Sequence, residues 1–347
     1  MSTEFPKGMS RILVHNREAL CGFANTERNM IARRTFIKGA SMLALAASTS
    51  RMYVRDSFAQ QVPNSAGTEP AKLKAPPGAC DCHHHIYDAV RFPPATPGGR
   101  IIPDARVEEF RLLQRRIGTS RNIVVTPSAY GTDNRVTLDA IATLGANARG
   151  VAVVHPTVTD AELKALADGG IRGIRFSITD PATAATSIDM IEPLSKRVNA
   201  LGWHVQINMG PDQIVAAEAL WNRLPCTIVF DHMGHVPQPA GLSHPVYNVI
   251  RKLVDKGRTW VKLSVTYDNT KDGPPVYADI TKVAQAHIKA APERMVWGSN
   301  WPHPNETTKP DDAMLFDLMS QWAPDERTRN RILVQNAAEL YGFGKAA

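Results

Sequence analysis

The sequence has few cysteines and no long hydrophobic run. Four cysteines among 347 residues are too few for a disulfide framework. Cys80 and Cys82 form a C-x-C pair, but no second pair stands elsewhere, so packing is favoured over metal binding for these thiols. The apolar stretch at residues 39–49 is well below the roughly 20 residues that a membrane-spanning helix needs. We therefore expect neither a disulfide scaffold nor a stable membrane anchor.

An excess of positive charge is absent from most of the chain. The formal charge is +7, but residues 1–59 hold nine Lys and Arg against four Asp and Glu, which gives +5. The other 288 residues carry the remaining +2. This charge is too small to indicate a phosphate-binding surface, so we expect no nucleic-acid partner.

The N-terminal 59 residues have the pattern of a twin-arginine export signal. The motif RRTFIK at residues 33–38 precedes the short apolar stretch, and small residues stand before a cleavage site after Ala59. An amphipathic N-terminal helix is the alternative. The 29 residues before Met30 are interpreted as an upstream extension of the reading frame. We predict that the protein is exported to the periplasm and that residues 1–59 are a leader.

The rest of the chain alternates between apolar runs and segments with helical period. Residues 60–78 are rich in Pro, Ala and Gly, which is typical of a linker, and the predicted domain spans residues 79–347. Eight strand candidates follow: ACDCHHHIY (79–87), NIVVTPSAY (122–130), GVAVVHP (150–156), GIRGIRFSI (170–178), WHVQINMG (203–210), CTIVFDHMG (226–234), WVKLSVTY (260–267) and RMVWGSNW (294–301).

This alternation over about 260 residues predicts an α/β fold, a closed (β/α)₈ TIM barrel. An open doubly wound sheet is the alternative, but it would usually carry a glycine-rich phosphate loop after its first strand, and none is present there. A final helix within DERTRNRILVQNAAELYGF is expected to pack outside the barrel.

Polar residues at the strand ends should meet at one mouth of such a barrel. Strand one ends in histidines, and alternation sends Asp81, His83 and His85 to one side and His84 to the other. Two imidazoles on one face suit a metal, or a carbonyl group that needs a proton donor. A pair of hydrogen-bonded core histidines is the alternative.

Further strand ends supply candidates for substrate binding. Either His232 or Asp231 faces inward after strand six, but not both. Arg175 on strand four is a buried arginine of the kind that binds an anion. Gln206 and Asn208 share a face of strand five and could bind ligand hydroxyl groups, or could be satisfied barrel amides. The remaining substrate-binding candidates are Ser128, Tyr130, His235 and His303.

Six motifs together resemble the amidohydrolase superfamily: D-x-H-x-H, PSAYGTDN, RGIRF, FDHMGH, WVKLS and VWGSNWPHP. The resemblance covers about residues 79–343 and is to the branch of 2-pyrone-4,6-dicarboxylate lactonase, sugar-acid lactonases and D-galactarolactone isomerase. It implies a barrel enzyme acting on a lactone, with His83, His85 and His232 polarising the carbonyl. It also implies that Asn300 occupies the position of the strand-eight aspartate, the catalytic base of hydrolytic members.

Asparagine at position 300 changes the expected chemistry. An amide cannot accept a proton near neutral pH, and losing a general base typically costs on the order of 10²–10⁴ in rate. It also leaves three neutral histidines as ligands, which would hold a divalent metal weakly. We therefore expect no required cofactor, and zinc weakly bound by His83, His85 and His232 is the alternative.

Three functions remain open from the sequence. The first is hydrolysis of a lactone of a sugar acid or related carboxylic acid, with water recruited by another group. The second is isomerisation, in which a hydroxyl of the substrate itself attacks the carbonyl. The third is binding of such a ligand in the periplasm without turnover. His235 and Asp268 stand where the pyrone lactonase has carboxylate-binding arginines, so a lactone with one carboxylate or none is predicted, with Arg175 as the main cation.

Overall fold

The computed structural model describes residues 61–95 and 105–344. The predicted twin-arginine motif and cleavage site lie outside these residues. Among the described residues, no helix has the length and apolar character needed to cross a membrane.

Eight parallel strands form one sheet whose order follows the chain. The strands are β1 (Cys80–His84), β2 (Arg121–Val125), β3 (Ala148–Ala152), β4 (Ile171–Ser177), β5 (His204–Asn208), β6 (Ile228–Phe230), β7 (Thr259–Leu263) and β8 (Met295–Trp297). Each strand overlaps one of the eight apolar runs. The prediction of a (β/α)₈ TIM barrel is confirmed.

Two backbone hydrogen bonds join β1 to the segment after β8. The amide of Asn300 donates to the carbonyl of His83 at 2.7 Å, and the amide of His85 donates to the carbonyl of Trp301 at 2.8 Å. Gly298 permits this close approach, because a Cβ atom there would lie 2.7 Å from the Cβ of His83. The main chain therefore fixes His83 and Asn300 relative to each other.

Most helices pack around the strands through an apolar face. The helices are α1 (Val107–Ile117), α2 (Arg135–Leu144), α3 (Asp160–Asp168), α4 (Ile191–Asn199), α5 (Pro211–Ala216), α6 (Glu218–Arg223), α7 (Pro245–Asp255), α8 (Ala278–Ala290), α9 (Asp312–Trp322), α10 (Glu326–Asn330) and α11 (Asn336–Tyr341). In α7, for example, Val246, Val249, Ile250 and Leu253 recur at helical spacing and are buried.

The barrel interior is filled by side chains from alternate strand positions. Its apolar residues include Cys80, Cys82, Ile123, Val125, Val151, Val229, Trp260 and Val296. The two β1 cysteines are buried free thiols, so they pack in the core as expected.

The final helical segment packs against one end of the barrel, and its last aromatic side chains reach the interior. A π-helical turn at Arg331–Gln335 joins α10 to α11. The ring of Tyr341, the last residue of α11, lies 5.4 Å from the ring of His204, the first residue of β5. Tyr341 and Phe343 pack with the interior apolar residues. Because β5 begins at His204, the C-terminal segment covers the N-terminal end of the barrel, which we call the barrel floor.

The described part of the predicted linker, residues 61–78, contacts the barrel domain. The indole nitrogen of Trp301 donates to the carbonyl of Pro63 at 2.8 Å. Arg116 at the end of α1 donates from Nη1 to the carbonyl of Ala66 at 2.8 Å. These bonds tie the segment to α1 and to the residues that follow β8.

Candidate active site

A bulge in β1 sets the directions of the strand-one side chains. The pairing of β1 with β2 shifts between Asp81 and His84. The Nε2 atoms of His83 and His85 lie 3.3 Å apart, whereas the ring of His84 stacks on Phe110 of α1 with 3.6 Å between centroids. The two predicted site histidines therefore meet, and His84 belongs to the outer core.

Asp81 does not join the histidines, so the alternation argument was wrong for this residue. Its Oδ1 accepts hydrogen bonds from the amides of His83 (3.1 Å) and Ser299 (3.0 Å), and its Oδ2 accepts one from the hydroxyl of Ser299 (2.6 Å). Burial raises the pKa of Asp81 to about 6, against the opposing effect of the Ser299 hydrogen bonds. The bulge interrupts the period of two, and the carboxyl group closes the seam between β1 and the end of β8.

Asp231 and His232 both reach the site, so the prediction that one would face away was wrong. Both follow β6, where strand alternation no longer applies, and His232 has left-handed backbone with φ of 52°. Oδ1 of Asp231 lies 3.2 Å from Nδ1 of His83. The ring centroids of His83 and His232 are 4.8 Å apart. The turn after the strand thus brings two consecutive side chains to His83.

Asp231 is fully buried among positive and polar donors. Its Oδ2 accepts hydrogen bonds from Nε of Arg175 (2.9 Å) and Nε2 of Gln206 (3.0 Å). Burial alone would raise the pKa of Asp231, but the positive charges of Arg175 and Lys262 outweigh it and hold the pKa well below its usual value. A carboxylate with so low a pKa is a poor proton acceptor. Asp231 therefore does not replace the base that is missing at position 300.

Lys262 fixes the proton position on His83. Its Nζ lies 2.8 Å from the carbonyl of Cys82, 2.7 Å from Oε1 of Gln206 and 3.2 Å from Nδ1 of His83. Burial lowers the pKa of Lys262 to about 8, against the attraction of Asp231, so the group is mostly an ammonium at neutral pH. An ammonium can only donate. Nδ1 of His83 is therefore assigned as the acceptor, and Nε2 of His83 carries the ring proton.

His85 completes this hydrogen-bond pattern. Its Nδ1 lies 2.8 Å from the carbonyl of Val125, which can only accept. Nε2 of His85 is therefore the unprotonated nitrogen, and it receives the Nε2–H of His83 in a long bond of 3.3 Å. Every hydrogen bond in the chain from Lys262 to Val125 then has one donor and one acceptor.

Burial keeps the three imidazoles neutral. It lowers the pKa of His83 and of His232 well below the usual value, and lowers the pKa of His85 to about 3. Nδ1 of His232 lies 2.8 Å from the hydroxyl of Ser264. Neutral imidazole N–H groups fixed in a buried site can stabilise developing negative charge on an oxygen.

A second set of polar residues, the rim chain, lies nearer the surface. Its members in order are Ser128, Ser177, Asn208, His235 and Asp268. The successive polar contacts measure 3.5, 2.8, 2.7 and 3.5 Å. Hydroxyl, amide and imidazole groups both donate and accept, so the rim chain suits a polyhydroxylated ligand.

Asn300 is bound to a tyrosine rather than to a charged group. Its Nδ2 donates to the hydroxyl oxygen of Tyr267 at 2.9 Å. That hydroxyl lies 2.8 Å from Nδ1 of His303, and Nε2 of His303 lies 3.1 Å from Oδ2 of Asp312. Asn300 also has left-handed backbone with φ of 65°, a conformation that costs free energy for a residue other than glycine. The end of β8 is thus held in one geometry by a chain of polar side chains.

The family of this chain follows from comparison with known proteins. The amidohydrolase family model matches residues 80–343, most of the described barrel. The chain belongs to the amidohydrolase family. The superfamily resemblance inferred from the motifs is thereby confirmed.

Relatives of this amidohydrolase cover most of its length. It is 33% identical over 283 residues to a 2-pyrone-4,6-dicarboxylate hydrolase of Comamonas testosteroni, covering 78% of this chain and 92% of that one. It is 32% identical over 272 residues to a D-galactarolactone isomerase of Agrobacterium fabrum, covering 77% and 91%. A crystal structure of an Agrobacterium tumefaciens protein superposes with a TM-score of 0.73 at 30% identity, covering 79% of this chain and 99% of that one.

Some distances in the amidohydrolase site would allow a divalent metal, but the protonation assigned to His83 and the local positive charge disfavour one. His83, Asp231 and His232 offer ligand atoms within 4.8 Å of one another. The 3.3 Å between Nε2 of His83 and Nε2 of His85 also suits two ligands of a tetrahedral zinc ion with Zn–N bonds of about 2.0–2.1 Å. However, Nε2 of His83 carries a proton, and the two cations beside Asp231 already outnumber its single negative charge. A divalent ion would add further positive charge to this site, which is electrostatically unfavourable.

The other predicted substrate-binding residues of the amidohydrolase have different surroundings. Tyr130 is fully buried, and its hydroxyl accepts a hydrogen bond from the amide of Asp88 at 3.0 Å. His303 is also fully buried and lies behind Asn300. Arg175 uses only its Nε toward Asp231, and its terminal nitrogens make no hydrogen bond within the described part of the chain. Arg175 therefore keeps its planar end for a ligand.

Sequence reasoning missed several members of the site, among them Lys262, Ser264, Tyr267 and Asp312. Lys262 and Ser264 lie at alternate positions from Trp260, and the period of two along β7 would have placed them inside the barrel. Asp312 gave no such signal, because it begins a helix well after β8 and meets His303 only through the fold.

Proposed function

We propose that this amidohydrolase hydrolyses a lactone of a sugar acid or related carboxylic acid. The observation that carries the proposal is the buried group of neutral imidazoles, His83, His85 and His232, next to the free end of Arg175 at the barrel mouth. The names of the two curated relatives, a pyrone dicarboxylate hydrolase and a galactarolactone isomerase, both denote action on cyclic esters. A cyclic ester carbonyl is the kind of group that such donors activate.

The imidazoles polarise the lactone carbonyl in this proposal. In the tautomer of His232 that serves this proposal, the hydroxyl of Ser264 donates to Nδ1 across 2.8 Å, and the Nε2–H is left for the carbonyl oxygen. The Nε2–H of His83 is a second donor, because its 3.3 Å bond to His85 is long enough for a carbonyl oxygen to compete. Two fixed N–H groups then stabilise the tetrahedral intermediate more strongly than the planar ester.

The substrate is selected by one cation and a polar rim. Arg175 can bind a single carboxylate through its terminal nitrogens, because the planar guanidinium end matches the planar carboxylate. Asn208 and His235 of the rim chain can exchange hydrogen bonds with sugar hydroxyls. These contacts support a polyhydroxylated lactone with one carboxylate rather than a dicarboxylate.

Isomerisation is a second candidate function, and Asn300 favours it. The residue provides no carboxylate to activate water, whereas a hydroxyl of the substrate is already close to the carbonyl and gains a high effective concentration. One curated relative carries the name of an isomerase. In this alternative the ring ester moves to another hydroxyl and no water enters the product.

The products formed from sugar-acid lactones in ¹⁸O-labelled water distinguish these functions. Hydrolysis predicts the free acid by NMR, with one labelled oxygen per molecule by mass spectrometry. A shifted ring without label would establish isomerisation, and saturable binding without any new product would establish a binding protein. His232→Asn should reduce kcat by about 10²–10³, the typical effect of losing one oxyanion donor. His155→Asn, on the exposed loop after β3, is the matched control.

We also propose that turnover requires no divalent metal. The charges of Arg175 and Lys262 beside Asp231 support this proposal. Activity should survive extended treatment with a chelator, and added zinc should not raise it. A loss of activity that zinc restores would contradict the proposal.

A further inference from the structure

We propose that Tyr267 receives the proton of the attacking hydroxyl group and passes its own proton to His303, which Asp312 stabilises. This relay replaces the carboxylate absent at position 300. This inference rests on the proposed action on a lactone and names the group that activates the nucleophile. Tyr267 touches the reacting hydroxyl, whereas His303 and Asp312 act through Tyr267.

The direction of each hydrogen bond supports the relay. A carboxylate only accepts, so Nε2 of His303 donates to Oδ2 of Asp312 at 3.1 Å. In the tautomer that serves the relay, Nδ1 of His303 is the acceptor, and the hydroxyl of Tyr267 donates to it at 2.8 Å. With its own proton committed to His303, the oxygen of Tyr267 accepts from Nδ2 of Asn300 at 2.9 Å. The chain runs in one direction, from Asn300 through Tyr267 and His303 to Asp312.

This arrangement resembles a catalytic triad of nucleophile, base and acid. Tyr267 passes the proton from the nucleophile to His303. Asp312 and His303 are fully buried, and Tyr267 is half-buried. The carboxylate of Asp312 has one oxygen, Oδ1, without a hydrogen-bond partner among the described residues. Its negative charge is therefore available to stabilise the imidazolium that forms when His303 accepts a proton.

Tyr267 acts as a neutral phenol and not as a resident phenolate. Burial raises its pKa well above the usual value, an effect that the Asn300 hydrogen bond only partly opposes. The proton transfers must therefore be concerted: the oxygen takes one proton as it releases another. The side-chain oxygen of Asn300 makes no hydrogen bond within the described residues, so it can orient the incoming hydroxyl beside Tyr267.

The step is balanced in atoms and charge. The attacking oxygen forms its bond to the lactone carbonyl carbon, its proton moves to the oxygen of Tyr267, and the proton of Tyr267 moves to Nδ1 of His303. When the intermediate collapses, the ring C–O bond breaks, and the relay runs backwards to protonate the leaving alkoxide. Water as the nucleophile gives the free acid, and a substrate hydroxyl gives the isomeric lactone.

A double-mutant cycle between Tyr267 and Asn300 tests the relay. Tyr267→Phe alone should lower kcat by about 10²–10⁴, with KM changed only a few-fold, because a general base is lost and binding is kept. Asn300→Asp restores a carboxylate at the strand end, so in that background the same Tyr267→Phe change should cost less than about 10-fold. Tyr277→Phe, at a buried tyrosine of the same connection between β7 and α8, is the matched control and should leave kcat unchanged.

Asp312→Asn tests the far end of the relay. The amide oxygen can still accept from Nε2 of His303, so the geometry is kept while the negative charge is lost. We expect a fall in kcat with KM retained, again suppressed by Asn300→Asp. Thermal unfolding of each variant reports whether its fold is intact.

The possible failures are distinguishable. Equal losses from Tyr267→Phe in the two backgrounds would overturn the relay, since a structural role for the tyrosine does not depend on a carboxylate at position 300. If the wild-type protein turned over no lactone, the proposed function would fall, and the relay with it. Turnover of a lactone with additive effects would overturn the relay alone.

Discussion

The proton on His83 depends on a single neighbouring group. The ammonium of Lys262 holds Nδ1 of His83 as an acceptor and so keeps the other nitrogen protonated. Without that ammonium, Oδ1 of Asp231 at 3.2 Å would be the strongest partner of Nδ1 and would draw the proton there. The lysine thus decides whether His83 is a donor to substrate or a ligand for metal.

Lys262→Met should convert the site into a zinc site. The change removes the donor to His83 and one of the two cations near Asp231, while the long side chain still fills the barrel interior. Nε2 of His83 and Nε2 of His85, 3.3 Å apart, are then both free to bind metal. Elemental analysis after dialysis against zinc should show little zinc in the wild type and nearly one ion per chain in the variant.

A second substitution serves as the control for that experiment. His85→Asn in the Lys262→Met protein should remove most of the gained zinc, because one ligand is lost. Equal zinc in the wild type and in Lys262→Met would contradict the role given to the lysine.

At the scale of strands and helices, the period of two was informative only inside regular strands. Continuous apolar runs predicted the eight strands, because a barrel strand is buried on both faces, and the period of two predicted that His83 and His85 share a side. It failed for Asp81 at the β1 bulge and for Asp231 after the end of β6. Bulges and left-handed turns depend on how neighbouring strands meet, which a single strand's sequence does not encode.

The relay at the end of β8 shows the same limit over a longer distance. Tyr267, His303 and Asp312 come from three separate connections or helix ends. Their hydrogen bonds arise because the fold brings the segments after β7 and β8 together. The sequence showed that position 300 lacks a base, but not which side chain lies next to Asn300.

Asp81→Asn should flatten the pH dependence of stability. The folded protein raises the pKa of Asp81 from 3.8 to about 6, so it binds this proton more tightly than the unfolded chain does. The free energy of unfolding should therefore fall as pH rises from about 4 to about 6, by at most on the order of 3 kcal/mol. In the variant, denaturant unfolding at several pH values in this window should show a smaller fall.

Asp168→Asn, at an exposed aspartate that ends α3, is the control for this measurement. It should keep the wild-type slope of stability against pH. An unchanged slope in Asp81→Asn would show that the carboxyl at the β1 seam is not responsible.

For the whole molecule, stability depends on the residues that cover the barrel floor. Tyr341→Ala would leave a cavity among Cys80, Cys82 and Trp260 and should lower the free energy of unfolding by about 3–5 kcal/mol. Tyr341→Phe should be nearly neutral, because the hydroxyl of Tyr341 has no hydrogen-bond partner among the described residues. Denaturant unfolding measures both, and comparable losses in the two variants would contradict a packing role for the ring.

We also expect the location of the protein in the cell to depend on the arginine pair in the leader. Replacing Arg33 and Arg34 with lysine should block the twin-arginine route, and the protein should accumulate in the cytoplasm. Fractionation followed by an immunoblot measures this, and a periplasmic pool of normal size would contradict the export signal. Replacing Arg51 and Arg55 with lysine instead retains the whole motif RRTFIK and is the control.

Because the C-terminal segment covers the barrel floor, the β1 thiols become shielded late in synthesis. Cys80 and Cys82 leave the ribosome early, whereas Tyr341 and Phe343, which pack against them, leave late. The thiols therefore stay open to oxidants throughout most of translation and become shielded only when the C-terminal segment has docked. The chemical reactivity of these two thiols therefore reports whether the C-terminal segment has docked on the barrel.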